Sequence, residues 1–202
     1  MASALTSVPV ADCHLKADYI DCAGRVVTLE ELHRTAPSRG KLHVARKAYG
    51  SPRPTAFIVH GFRVAVHRIT GEIRILQSVQ AQDAGTILNP MQARGQVEGG
   101  IAQGIGSCLF ERMVLDATGT VTNPSLRNYR IPAFADIPRS EIFFADTHDA
   151  HGPLGAKPIG ESPIIPIAAA MGNALADATG LRFQSLPFSA DRIFSQLNSL
   201  SR

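Results

Sequence analysis

Two stretches near the middle of the chain alternate between apolar and polar residues, which is the pattern of β-strands with one buried face. They span residues 57–69 and 72–80 and are rich in Val, Ile and Phe. Thr70 and Gly71 between them are typical of a tight turn, so the two strands are predicted to form an antiparallel hairpin. A further short strand is predicted at residues 142–145.

Two other stretches are predicted to be helices. Residues 91–112 suit a helix that begins at Met91 or after Gly95, and its many glycines require close packing against a neighbouring element. Residues 164–178 are small or branched and nearly uncharged, which is typical of a buried helix, and Gly180 is suited to end it. With the hairpin, these helices predict an α+β fold, in which mixed sheets with hairpins pack against a glycine-rich helix and an apolar helix.

A change of composition divides the chain. Residues 34–54 are rich in Pro, Gly, Ser and basic side chains, which predicts a mostly extended connector with one short strand at residues 42–45. We therefore expect two parts, an amino-terminal segment with connector (residues 1–54) and a carboxy-terminal domain (residues 55–202). The first part is expected to begin loosely and to contain a short helix at residues 28–33, capped by Thr28.

Shorter elements complete the prediction. A second hairpin is expected around the turn at residues 116–119. Residues 123–138 should be irregular because their prolines exclude a central strand or helix. A strand at residues 181–187 and a last helix at residues 190–197 follow.

Composition narrows the classes of function. The chain has 202 residues, 45% of them hydrophobic, which suffices for a buried core. Its 20 basic and 17 acidic residues leave a net charge of only +3 without charged runs, so no nucleic-acid partner is expected. No signal sequence or membrane-spanning run is recognisable, which predicts a cytoplasmic protein without a membrane partner. Three scattered cysteines cannot form a disulfide framework or hold a four-cysteine iron–sulfur cluster.

The strongest candidate for chemistry is Glu161, where a loop rich in glycine and proline, residues 152–160, meets the apolar helix. A carboxylate in this position can simply cap the helix and interact with its dipole. Alternatively, a partly desolvated carboxylate can act as a general base, beside a glycine-rich turn whose amides approach an anionic cofactor. No metal ligands are predicted, because histidines and cysteines do not occur at ligand spacing, and His60 is expected to be an exposed or hydrogen-bonded strand residue.

A family resemblance bears on these alternatives. Residues 155–161, Gly-Ala-Lys-Pro-Ile-Gly-Glu, resemble the loop that carries the catalytic glutamate near the end of the large subunit of molybdenum hydroxylases, the xanthine dehydrogenases and aldehyde oxidases. Further motifs resemble the same family in the same order: Asp83-Ala84-Gly85 with Asn89-Pro90, Gly95-Gln96-Val97-Glu98-Gly99-Gly100, Gln103-Gly104-Ile105-Gly106, and Tyr129-Arg130-Ile131-Pro132 with Asp136-Ile137-Pro138.

The resemblance implies a molybdenum–molybdopterin cofactor that needs no side chain as a metal ligand. It implies that Glu161 is the catalytic base in the oxidation of an aldehyde or N-heteroaromatic C–H with water-derived oxygen. Electrons would leave through 2Fe-2S clusters and FAD on partner domains or subunits. The residues that would bind the cofactor are Gln96, Gly155, Ala156, Lys157 and Gly160.

The motifs match only the carboxy-terminal part of the large subunit. The resemblance therefore implies that the chain is incomplete alone, and that its partners are the rest of the molybdenum subunit and iron–sulfur and flavin subunits, with a small-molecule substrate. Surfaces that face the missing domains are expected to promote self-association. The chain could be an expressed fragment, a separately encoded piece or a remnant. The competing hypothesis is a non-catalytic assembly or binding module that retains the fold.

Overall fold

A computed structural model describes residues 1–35 and 54–199 of the chain. The chain divides into two compact units, Met1–Ser51 and Pro52–Arg202. The strand predicted at residues 42–45, and nearly all of the predicted connector, lie outside the described residues.

The first unit is a small sheet with two helices. Its elements are α1 (Ala2–Thr6), β1 (Cys13–Leu15), β2 (Tyr19–Cys22), β3 (Arg25–Thr28) and α2 (Leu29–Thr35). The strands are antiparallel in the order β1-β2-β3, and they enclose a core of Ala2, Cys22, Val27 and Leu32. The expectation of a loose amino end was wrong, because Ala2 in α1 packs against apolar residues that are 20 to 30 positions away in the sequence. The predicted cap is confirmed, since the Thr28 hydroxyl accepts a 3.0 Å hydrogen bond from the amide of Glu31.

The second unit is built on the predicted hairpin. Its strands are β4 (Phe57–Val66), β5 (Ile73–Asp83) and β6 (Ser140–Phe144). β4 and β5 pair antiparallel, as predicted, and β6 adds to β5 in parallel. β5 continues to Asp83, three residues beyond its predicted end.

Helices α3 (Pro90–Leu109), α4 (Ile167–Thr179) and α5 (Ala190–Ser199) complete this unit. Their apolar side chains and Phe188, which precedes α5, form one buried cluster that packs against the inner face of the sheet: Val97, Ile101, Ile105, Cys108, Ile167, Met171, Leu175, Phe188 and Ile193. The predicted α+β class is therefore confirmed. Every helix within residues 1–35 and 54–199 is too short or too polar to cross a lipid bilayer.

The glycines of α3 permit the close packing that the sequence predicts. A Cβ atom added to Gly104 would lie 2.6 Å from Cβ of Ile167, and one added to Gly100 would lie 2.7 Å from Cβ of Pro163. Real Cβ atoms do not approach so closely, so α4 and the turn before it touch the backbone of α3. Asn89 caps α3 by accepting a 3.1 Å hydrogen bond from the amide of Gln92.

One helix starts later than the sequence predicts, and one predicted strand does not form. α4 begins at Ile167 rather than at residue 164, because Pro163 and Pro166 lack the amides of a regular first turn and a separate 3₁₀ turn precedes the helix. Its end at Gly180, with φ of 75°, is as predicted. Residues 181–187 form no strand, because Pro187 cannot donate and the next amide, that of Phe188, bonds to the carbonyl of Cys108.

Candidate functional site

Glu161 lies at the N-cap position of the 3₁₀ turn Ser162–Ile164. Its side chain is exposed and makes no capping hydrogen bond. Among the residues that the structure describes, none donates a hydrogen bond to this carboxylate or forms an ion pair with it. The carboxylate is therefore not used as a helix cap, and it is open to an external partner. We refer to residues 160–164 as the Glu161 turn.

Gln96, on α3, holds the start of the Glu161 turn. Its side-chain amide donates a 2.6 Å hydrogen bond to the carbonyl oxygen of Gly160. The structure thus brings together Gln96, Gly160 and Glu161, three of the residues predicted for the site. A glutamine amide has two N–H donors and a carbonyl acceptor, so one donor and the acceptor of Gln96 remain available to a ligand.

Three consecutive backbone amides beside the carboxylate are also open. Within the described parts of the chain, the N–H groups of Ile159, Gly160 and Glu161 have no acceptor. Gly160 has a left-handed φ of 49°, and a Cβ atom added there would meet nothing within 4 Å. Successive free amides on such a backbone form a concave donor site suited to anionic or carbonyl oxygens.

The other predicted loop residues, 155–157, are anchored inside the chain. The amides of Gly155, Ala156 and Lys157 bond to the carbonyls of Gly152, Pro153 and Ala84 at 3.1, 3.1 and 2.8 Å. Gly155 is buried with φ of 81°, and a Cβ atom added there would overlap the ring of His148. These residues fix the path of the loop, and their own backbone amides are already bonded.

Asp83 ties this loop to the end of β5. Its carboxylate accepts hydrogen bonds from the Lys157 ammonium at 2.6 Å, the Thr147 hydroxyl at 2.5 Å and the Gly85 amide at 3.1 Å. The bond from Lys157, with that from Thr147, lowers the pKa of Asp83 from its ordinary 3.8 to about 2. The structure thereby gives the Asp83-Ala84-Gly85 motif a physical role, which is to hold the loop that leads to Glu161.

Sequence reasoning missed two buried glutamines of β5 that reach the Glu161 turn. The amide of Gln80 donates a 2.9 Å hydrogen bond to the carbonyl of Pro163, and the amide of Gln82 donates one of 3.1 Å to the hydroxyl of Ser162. The two side chains are 0% and 1% exposed. Their carbonyl oxygens have no partner in the described residues, and an unpaired buried polar group costs about 1–3 kcal/mol.

A β-bulge in β5 turns these glutamines inward. Leu76 has no partner in β4, although Ile75 pairs with Val64 and Gln77 pairs with Arg63. Odd-numbered residues therefore face the core before the bulge, and even-numbered residues do so after it. The inner face of the sheet changes at this point from apolar to polar.

His60 belongs to the same polar face. It is buried, its Nε2 lies 3.3 Å from the Ser78 hydroxyl, and that hydroxyl lies 2.7 Å from the hydroxyl of Ser140. Burial lowers the pKa of His60 from its ordinary 6.5 to about 4, so the ring is neutral at pH 7. No group of three or more His, Cys, Asp or Glu residues in the described ranges is arranged to hold a metal ion.

Comparison with known proteins identifies the class of protein to which this fold and site belong. A profile of the family described as the molybdopterin cofactor-binding domain matches residues 1–138, which is more than half of the chain. The chain belongs to this family, and the resemblance seen in its motifs is confirmed.

Particular relatives are similar over most of the chain. It is 37% identical over 164 residues, 80% of its length, to the xanthine dehydrogenase molybdenum-binding subunit of Escherichia coli O157:H7. It is 37% identical over 145 residues, 71% of its length, to the aldehyde oxidoreductase molybdenum-binding subunit PaoC of Escherichia coli K12. The crystal structure of quinoline 2-oxidoreductase from Pseudomonas putida 86 superposes on 97% of the chain with a TM-score of 0.74 and 27% identity.

These relatives are much longer than the chain. The matched parts amount to 22% and 20% of the two Escherichia coli subunits and to 27% of the quinoline 2-oxidoreductase chain. The chain thus spans about a fifth of the length of the curated relatives.

Proposed function

We propose that this chain is the part of a molybdenum hydroxylase catalytic subunit that supplies the general base, Glu161, and one side of the molybdopterin site. The observation that carries the proposal is the open carboxylate of Glu161, held beside the free amides of residues 159–161. The reaction converts R–H and water to R–OH, two electrons and two protons. R–H is an aldehyde or an N-heteroaromatic C–H.

The donors around Glu161 suit this cofactor. Molybdopterin carries a phosphate and a pterin ring with hydrogen-bonding edges, and it holds its metal without protein side chains. Such a phosphate and ring need hydrogen-bond donors. The site offers the unbonded backbone amides of Ile159 and Gly160 and the second N–H of the Gln96 side chain. Gly155, Ala156 and Lys157 support binding by shaping the loop. When bound, the cofactor supplies the two-electron oxidation of the substrate carbon.

Glu161 removes a proton from the water-derived oxygen nucleophile. Its carboxylate is suited to this step because no residue of the described structure forms a hydrogen bond or an ion pair with it. The bond from Gln96 to Gly160 and those from β5 to Ser162 and Pro163 hold the backbone on both sides of it. A base whose backbone is fixed on both sides needs little reorganisation to reach its proton.

The chain acts within a larger assembly. It lacks most of the length of its relatives, so the rest of the molybdenum subunit must complete the cofactor and substrate pockets. The two electrons leave through 2Fe-2S clusters and FAD carried by partner domains or subunits. Both curated relatives are named as molybdenum-binding subunits, which supports an assembly of this kind.

The test replaces Glu161 by Gln in the full chain, co-expressed with the polypeptides encoded beside it. Removal of a general base lowers kcat by about 10²- to 10⁴-fold. Molybdenum and pterin content, measured on the same preparation, should remain at the wild-type level, because the free amides are unchanged. Glu72→Gln is the matched control, since Glu72 is an exposed glutamate in the turn before β5.

Two results would contradict the proposal. The first is a wild-type rate in Glu161→Gln with full molybdenum content, which would show that Glu161 is not the general base. The second is the absence of molybdenum and pterin from every complex that the chain forms, which would favour the non-catalytic assembly module.

A further inference from the structure

We propose that Gln80 and Gln82 are positioning residues for the catalytic base. Their buried side-chain amides hold the Glu161 turn from the side of the sheet, so that the backbone that carries the carboxylate is fixed while the carboxylate oxygens remain free. The inference rests on the proposed function of Glu161 and adds two residues that act on it through the backbone.

The hydrogen bonds to the turn fall on both sides of Glu161. Before it, the Gln96 amide holds the carbonyl of Gly160. After it, Gln82 donates to the hydroxyl of Ser162 and Gln80 donates to the carbonyl of Pro163. Three of the four residues from 160 to 163 are therefore held by a glutamine amide, and the one that is not held is Glu161.

The two hydrogen bonds from Gln80 and Gln82 are well placed to hold the Glu161 turn rigidly. Gln80 and Gln82 are fully buried and lie two residues apart on a strand that is paired on both sides. The backbone that carries the two side chains is therefore fixed by strand pairing, and water does not compete for their hydrogen bonds. By contrast, Gln96 is exposed and can exchange its partner for a ligand.

Placing two glutamines in a sheet interior is unfavourable unless they have a role. The carbonyl oxygen of each lacks a partner in the described residues, and apolar side chains of the same length would avoid that cost. Upstream on the same strand, the inward positions are in fact apolar, at Ile73 and Ile75. After the bulge the inward positions are polar: Ser78 bonds within the sheet to Ser140, and the next two, Gln80 and Gln82, are the ones that reach the Glu161 turn.

The inference is tested with Gln80→Met and Gln82→Met in the full chain, purified with its partner polypeptides. Methionine keeps the length of the side chain and removes the donor. We expect kcat to fall about 10- to 100-fold, as for a misplaced catalytic group, with KM and molybdenum content unchanged. A lost hydrogen bond should speed amide exchange by about three- to ten-fold at Ser162 and Ile164 in the Glu161 turn and at Ile165 directly after it.

Two further variants make the test decisive. Ser162→Ala removes the acceptor of the Gln82 bond without altering β5, so it reports on that bond even if a β5 variant fails to fold. Gln77→Leu is the matched control, because the Gln77 amide belongs to the same strand but donates to Glu141 rather than to the turn. It should leave kcat and amide exchange unchanged.

Two results would overturn the inference. One is wild-type kcat and wild-type exchange in Gln82→Met and Ser162→Ala. The other is a loss of molybdenum equal to the loss of kcat, which would assign the glutamines to cofactor retention. Failure of the proposed function is visible separately, as an unchanged rate in Glu161→Gln, because amide exchange reports on the turn without any turnover.

Discussion

The side-chain amide of Gln96 donates a 2.6 Å hydrogen bond to the carbonyl oxygen of Gly160, the residue directly before Glu161. This bond joins two motifs that are 64 residues apart in the sequence, one on α3 and one in the glycine-rich loop. In the proposed site, the residue that would contact the cofactor, Gln96, also holds the backbone next to the proposed base. We therefore expect cofactor binding and the position of the proposed base to be coupled.

The coupling predicts a combined effect of Gln96→Leu. Loss of the bond to Gly160 and of the remaining donor should reduce cofactor retention by about ten-fold, since hydrogen bonds to charged groups are worth more than neutral ones. Kinetics on the fraction that retains cofactor should show a lower kcat as well. Metal analysis of the purified complex after dialysis gives the first quantity, and turnover per bound molybdenum gives the second.

Gln92→Leu is the control for this change. Gln92 is an exposed glutamine one turn earlier on α3, and its backbone amide rather than its side chain bonds to the Asn89 cap. Equal losses in the two variants would mean that the helix surface, and not the bond to Gly160, determines cofactor retention.

The buried polar face of the sheet predicts a pH dependence of stability. Because the pKa of His60 falls to about 4 on folding, from an ordinary 6.5, the unfolded chain binds a proton between these values that the folded chain does not. The stability contribution is fully present above pH 6.5 and is lost as the pH falls toward 4. His60 alone should lower the free energy of unfolding by about 2–3 kcal/mol across this range.

Urea unfolding at a series of pH values, for the wild type and for His60→Phe, measures this contribution. Between pH 6.5 and 4 the free energy of unfolding of the variant should fall less steeply with pH than that of the wild type. The remaining slope comes from other titrating groups. Parallel stability curves for the two proteins would show that His60 titrates normally in the folded chain.

The packing of α3 predicts opposite effects for two glycines of one helix. Gly99→Ala should stabilise the chain by about 0.5–1 kcal/mol, because a Cβ atom there meets nothing within 4 Å and alanine favours the helix. Gly104→Ala should destabilise it by about 1–3 kcal/mol, because the added atom overlaps Ile167. The midpoints of chemical unfolding followed by circular dichroism compare the two, and equal shifts would contradict the close approach of α3 and α4.

The sequence predicted those features that local chemistry sets. The hairpin follows from alternation and from the turn pair Thr70-Gly71. The end of α4 follows from Gly180, and the place of Glu161 just before the apolar helix follows from its position after a glycine-rich loop, although the sequence left open whether its carboxylate caps the helix. Each of these depends on neighbours within a few residues, so a single sequence is enough to read it.

Other features required the tertiary structure. Alternation along β5 would place Val79 and Ala81 on the inner face, in line with Ile73 and Ile75. The bulge at Leu76 reverses this and buries Gln80 and Gln82 instead. A bulge depends on how β4 pairs with β5, which local patterns do not encode.

The same division holds for the site. The sequence by itself determined which residues were available, namely a carboxylate after a glycine-rich loop and a glutamine on a glycine-rich helix. It also contained several motifs in the order that is typical of one family. Only the tertiary structure decided which of them meet, because bonds such as Gln96 to Gly160 and Gln80 to Pro163 join residues 64 and 83 positions apart. Such contacts arise from the packing of α3 and β5 against one loop, and that packing is a property of the whole fold.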